Sequence, residues 1–184
     1  MVVLGIDPGS RRCGYGVVER TGARFRHVVS GVVEPGDLSV AERLAVIFDR
    51  LSELLLRERV DAVAVEAVFC GRSARSALAL GQARGVALAA AARAGLPVFE
   101  YAPAEVKSAF AGHGRAEKAQ IIRMMRMLFG REARLADEAD ALAIAVCCLA
   151  RRLGTKPAPA KSRGAGLAAR RSLRPSIRRF GGSP

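Results

Sequence analysis

Apolar and polar positions fall into segments of two periods along the chain. Val2–Asp7 is an apolar run that ends at Pro8-Gly9, the pattern of a strand closing in a turn. Cys13–Arg20 and Phe25–Val33 alternate and read as two more strands, with Thr21-Gly22 as the turn between them, so a three-stranded antiparallel meander is expected. Leu38–Arg59 places Leu44, Ile47, Phe48, Leu51, Leu54 and Leu55 at helical spacing. Ala62–Glu66 is short and continuously apolar, as in a central strand covered on both faces. Ser73–Ala94 is Ala-rich with high helix propensity and is stopped by Gly95-Leu96-Pro97. Val98–Tyr101 is a further strand. Pro103–Phe110 and Arg115–Phe129 are helices broken by Gly112 and Gly114, and Leu135–Leu153 is a last helix. The expected fold class is α/β: a mixed five-stranded sheet flanked by helices on both faces.

Composition changes that picture at one end. The chain has 184 residues, is 51% hydrophobic and carries a net charge of +13. Ten of its Lys and Arg residues lie in 151–184, which has no acid, so the rest of the chain is close to neutral at +3. Residues 1–153 are expected to form one domain with a sizeable core. Residues 154–184, rich in Pro, Gly, Ala, Ser and Arg, are expected to be a basic tail, disordered in isolation, whose cations raise non-specific DNA affinity through counterion release. Cys13, Cys70, Cys147 and Cys148 lack zinc-site spacing, and vicinal Cys147-Cys148 on a helix cannot readily pair. They read as reduced, mostly buried thiols of a cytoplasmic protein. The opening MVVLGIDPGS has no basic leader, and the longest apolar stretch, Val86–Ala92, is far shorter than a membrane span.

The candidate chemistry lies in four acids. Asp7 and Glu66 each close an apolar strand, and Asp137 and Asp140 lie three apart on a helix, facing one side. Acids at the ends of apolar elements are costly unless a cation pairs them. In a basic chain that cation is expected to be a divalent metal, with a nucleic-acid phosphate as its partner. Two ions about 4 Å apart can neutralise a phosphodiester, acidify the attacking water and stabilise the leaving oxygen. Mg²⁺ and Mn²⁺ both favour such hard oxygen donors. Each acid also has a plainer reading: Asp7 can shape the Pro-Gly turn, and Asp137 can complement a helix dipole. Glu138, about 100° round the helix from Asp137, is expected to face solvent.

Four segments, GIDPGSRRCGYGVVE, VEAVFCGRSARSALALGQARGVALAAA, PVFEYAPAEVKSAFAGHGRAEKAQI and ADEADALAIA, taken in order, resemble the RuvC family of Holliday-junction resolvases from about residue 2 to 150. The resemblance implies a ribonuclease-H-like fold, a homodimer and nicking of four-way DNA junctions that depends on Mg²⁺ or Mn²⁺, with two ions per site. Two strands of like polarity would be cut, leaving 5′-phosphate ends, in recombination and DNA repair. The family's metal-binding acids match Asp7, Glu66, Asp137 and Asp140. Lys107 and Lys118 match basic positions needed for catalysis or DNA contact, and Phe69 matches an aromatic that stacks on a junction base. Arg72, Arg75 and Arg115 are further expected DNA contacts. The resemblance also implies partnership with the RuvA–RuvB branch-migration complex, and places the dimer contact near the Ala-rich helix that holds Ala79, Ala83, Ala87 and Ala90.

Other residues have plainer readings. His27 is expected to be structural or solvent-facing, and Met124, Met125 and Met127 to fill the core. Alternatives to a junction resolvase are a non-catalytic junction-binding protein and a related nuclease acting on structured RNA. An actin-like ATPase shares the GIDPG opening, but the chain is too short for its two duplicated domains.

Overall fold

The computed structural model describes residues 1–67, 74–111, 118–130, 133 and 135–152. The chain opens with β1 Val2–Asp7, β2 Cys13–Thr21 and β3 Arg24–Val33. β1 and β2 are antiparallel, with Val2 opposite Glu19 and Asp7 opposite Gly14. β3 runs antiparallel to β2, with one irregularity between Val17 and Val18. The hairpin between them turns at Gly22, whose φ of +60° lies in the left-handed region that a two-residue connection requires. The expected meander is therefore present.

Helix α1 spans Val40–Arg57 and starts two residues after the expected Leu38. The reason is a capping box. The Ser39 hydroxyl accepts from the Glu42 amide at 3.4 Å, and the Glu42 carboxylate accepts from the Ser39 amide at 3.0 Å. β4 Ala62–Glu66 lies parallel to β1, and β5 Val98–Tyr101 lies parallel to β4, giving the sheet order β3-β2-β1-β4-β5. Parallel neighbours need crossover connections, and α2 Ala74–Arg93 lies in the segment between β4 and β5. α3 Pro103–Ala111, α4 Lys118–Phe129 and α5 Ala136–Arg151 complete the described elements.

Side-chain parity divides the interior in two. Leu4 and Ile6 of β1 and Val63 and Val65 of β4 pack with Ile47, Leu51 and Leu54 of α1 and with Ala87 and Ala91 of α2. Val3 of β1 and Ala62 and Ala64 of β4 face the opposite layer, with Leu142, Ile144 and Val146 of α5. α5 is buried at every position from Glu138 to Leu149 except Asp140, so it is a core helix covered on nearly all sides. Its C-terminus is held by Arg20, whose Nη1 donates to the Leu149 carbonyl at 2.8 Å. Beyond it, the Arg152 guanidinium lies 3.9 Å from the centre of the Phe99 ring.

Met125 is buried and Met124 packs against the same core, but Met127 is 81% exposed, so only two of the three methionines fill it. The cause is helical rotation: Met127 stands about 200° round α4 from Met125. Cys13, Cys147 and Cys148 are buried free thiols, and Cys70 lies outside the described residues. Among the described residues, no helix is long and apolar enough to cross a membrane.

Candidate active site

The four acids gather at one end of the sheet for reasons of parity and register. Val3 and Gly5 of β1 face α5, and Asp7 continues that parity. Ala62 and Ala64 of β4 face the same layer, and Glu66 continues it. β1 and β4 are parallel neighbours with Ile6 opposite Val65, so Asp7 and Glu66 end adjacent strands at one level.

Two glycines let α5 approach closely enough to add its own acids. A Cβ on Gly5 would lie 2.1 Å from the Ala141 carbonyl oxygen, and one on Gly14 would lie 2.0 Å from that of Asp137. Backbone therefore rests on backbone along β1 and β2. Gly14 is the strand partner of Asp7, so the first turn of α5 is seated beside Asp7. Asp137 and Asp140 are both partly buried on that turn.

Cys13 senses the same cluster. Burial pushes its thiol up to about 12, and the negative charges of Asp7 and Asp137 push the same way, against a hydrogen bond from the Gly9 backbone. A thiol raised from 9.0 in this way favours the folded state below pH 9. That contribution falls as the pH rises toward 12, because the unfolded chain releases the proton first. Cys13 in the folded protein is expected to react with a maleimide at pH 8 at least about 10²-fold more slowly than in urea, since the thiolate is the nucleophile. Mass-resolved alkylation rates measure this.

The acids are not drawn tightly together. Among the described residues, no three His, Cys, Asp or Glu side chains converge closely enough to hold one ion. The Asp137 carboxylate instead meets Arg12, whose Nε lies 3.1 Å from its Oδ2 and 3.2 Å from Glu34 Oε1. Arg12 is 45% exposed, so this pair contributes at most about 1 kcal/mol and yields readily to a competing cation. The donor set fits a hard divalent ion: four carboxylates, from two strand ends and one helix turn, with no sulfur or imidazole among them.

The remaining expected site residues are spread out. Lys107 is exposed on α3, and Arg75 is exposed in the first turn of α2. No contact among the described residues joins either to the acids. Lys118 opens α4, but its side chain, like Phe69, Arg72 and Arg115, lies outside the described residues.

Glu138 is a correction. It does not face solvent; it is 3% exposed and accepts a hydrogen bond from the Ser30 hydroxyl at 2.6 Å. Ser30 in turn lies 2.7 Å from His27 Nε2, which gives His27 its structural place, and the His27 ring meets Phe129 edge-on. The assumption of a solvent face failed because α5 is buried all round. The nearly uncharged run Ala139–Leu149 was the available signal. Arg12 and Glu34 were also missed: their partnership with Asp137 depends on the pairing of β1, β2 and β3, which local pattern does not reveal.

The family model described as crossover junction endodeoxyribonuclease RuvC matches residues 3–148. A curated RuvC of Anaeromyxobacter dehalogenans strain 2CP-C is 64% identical, with all of both chains covered. The RuvC of Alkalilimnicola ehrlichii is 54% identical over 80% of this chain and 90% of its own length. Among solved structures, Thermus thermophilus RuvC in complex with a Holliday junction substrate superposes with a TM-score of 0.79. It is 43% identical and covers 86% of this chain and 99% of that one. The yeast mitochondrial Holliday junction resolvase Ydc2, at 13% identity and a TM-score of 0.61, covers 82% of this chain and 80% of its own, and shares the fold.

Proposed function

From the premise that the chain belongs to the RuvC family of crossover junction endodeoxyribonucleases, we propose that it resolves Holliday junctions in recombination and DNA repair by symmetric nicking of two strands of like polarity. The observation that carries the reading is the placement of Asp7 and Glu66 at the ends of the parallel neighbours β1 and β4, on the face that α5 covers, with the first turn of α5, which holds Asp137 and Asp140, seated beside Asp7.

These four acids would hold Mg²⁺ or Mn²⁺, two ions per site. The ions, when bound, supply neutralisation of the phosphate and a lowered pKa for water. Asp7 and Glu66, mounted on rigid strand ends, would hold their carboxylates at fixed positions for the ions. Asp137 and Asp140 approach from the helix side and close the site against β2. Water attacks the phosphorus in line and the 3′ oxygen leaves, giving ligatable 5′-phosphate and 3′-hydroxyl ends. Lys107 and Lys118 would stabilise charge developing on the phosphate oxygens. Phe69 would stack on a base at the junction centre, with Arg72, Arg75 and Arg115 on flanking phosphates. Entry of a phosphate and cations would draw Asp137 off Arg12, freeing that guanidinium for DNA.

A homodimer fits a two-fold symmetric substrate. The α2 face made by Leu78, Gly81, Gln82, Gly85 and Ala89 supports one. Leu78 is 65% exposed, and a Cβ on Gly81 or Gly85 would meet nothing within 4 Å in its own chain. Glycine inside a helix costs about 1 kcal/mol against alanine, a cost that the fold of this chain does not explain and close approach of a second α2 would. Beside this face runs a groove of about 450 Å³ lined by Leu44, Phe48 and Val86. Gly85→Arg is expected to shift the protein to monomer and to replace paired nicks by slow single nicks, as read by light scattering and product mapping. Action beside the RuvA–RuvB complex in the cytoplasm completes the proposal.

The test is cleavage of a synthetic four-way junction in Mg²⁺ or Mn²⁺, with matched linear duplex and structured RNA as controls. Paired symmetric nicks confined to the junction support the proposal. Tight junction binding without cuts would replace it with a binding role, and preferential RNA cleavage would replace its substrate.

A further inference from the structure

The first turn of α5 is held in an unusual way. Its N-cap residue, Leu135, makes no side-chain cap hydrogen bond. Its contacts along β1 and at Gly14 are small: Ala141 and Ala145 lie on Gly5, and the Asp137 backbone lies on Gly14, while the large side chains Leu142, Ile144, Val146 and Leu149 come only after the first turn. Small residues on glycines permit close approach but present little relief to resist rotation of the helix about its axis. Yet rotation matters here. Turning the helix by about 15° carries a carboxylate on its surface roughly 1 Å.

A buried polar chain adds a hold at the first turn, ahead of those large side chains. Ser30 stands opposite Gly16 on β2, and a Cβ on Gly16 would press on Leu142, so Ser30 lies beside the seat of α5. The Ser30 hydroxyl donates its one proton to Glu138 Oε1 at 2.6 Å, and therefore accepts from His27, whose Nε2 must carry hydrogen. Glu138 is one residue after Asp137 and two before Asp140. A carboxylate 3% exposed is tolerated only with partners, and a broken buried hydrogen bond is more costly than an exposed one.

We propose that the His27–Ser30–Glu138 chain is a positioning device that ties the first turn of α5 to β3 and so sets the spacing of Asp137 and Asp140 from Asp7 and Glu66. This rests on the reading of those four acids as the metal site. The chain touches neither substrate nor metal. It raises metal affinity by holding the acids where a cation can join them.

The experiment is a metal titration of Ser30→Ala in the full chain. The Mg²⁺ concentration for half-maximal junction cleavage is expected to rise about 10-fold, while the rate at saturating Mg²⁺ stays within about 3-fold of wild type. The rise in melting temperature that Mg²⁺ induces in the protein alone should move to the same higher concentration. Junction affinity in chelator should be unchanged, and Ser30→Thr, which keeps the hydroxyl, should restore the wild-type titration. An unchanged metal requirement in a folded Ser30→Ala protein would overturn the proposal, as would a lost rate at saturating metal with no change in that requirement. Should Ser30→Ala not fold, His27→Phe keeps a ring against Phe129 and deletes the donor. A wild-type metal requirement there overturns the proposal equally, and a raised one supports it. Asp137→Asn is measured alongside: cleavage with wild-type metal dependence in that variant would overturn the metal-site reading itself, whatever Ser30→Ala does.

Discussion

Asp7→Asn is expected to reduce junction cleavage by more than about 10³-fold while leaving junction binding within a few-fold of wild type. The substitution is nearly isosteric, and Asp7 ends β1 with its backbone paired to Gly14, so the fold has no reason to change. What is lost is a negative oxygen at the end of the central strand. An amide is a poor partner for a hard divalent ion, and the three remaining acids cannot restore the missing charge. Junction binding is expected to draw chiefly on phosphate contacts away from this carboxylate, which the change does not touch. The measurement is single-turnover cleavage together with a gel-shift titration in Ca²⁺. Full cleavage by the variant would remove Asp7 from the chemistry.

Gly14→Ala is expected to be the most damaging single methyl group near the site. Its Cβ would stand 2.0 Å from the Asp137 carbonyl oxygen, 2.5 Å from the carbonyl carbon and 3.2 Å from the Asp137 Cβ. Two of these neighbours are backbone atoms, so no side-chain rotation relieves the clash. The first turn of α5 must lift by more than about 1 Å. The expected stability loss is about 2–4 kcal/mol, at the upper end for overpacking, read by urea unfolding. The expected activity loss is about 10²-fold or more even where the protein stays folded, because a displacement of about 1 Å at a catalytic group is enough. Wild-type stability in Gly14→Ala would show that α5 is not seated as described.

Much of this site was legible because it is built on local signals. Asp7 and Glu66 were found as acids that end apolar strands, and Asp137 and Asp140 as neighbours on one helix face. Both patterns lie within a single element, so period and sequence spacing reveal them. Glu138 was misread for the complementary reason. Its angular position on α5 was right, but what surrounds that position is set by β3, which contributes Ser30 from 108 residues away. Met127 was misread in the same way, as a methionine whose type suggested core and whose helix face points outward.

The amino-acid sequence by itself determined the elements, their order, the charge division between residues 1–150 and 151–184, and the pattern that singles out the four acids. These follow from chain-local chemistry: alternation, helical period, capping and composition. Tertiary structure alone decided which face of the sheet each acid occupies relative to α5, that Gly5 and Gly14 are seats rather than turns, that Arg12 rests on Asp137, and that Glu138 is tied to β3. Those facts depend on strand register and on helix burial from several sides, and such relations between distant segments come into being only when the chain packs.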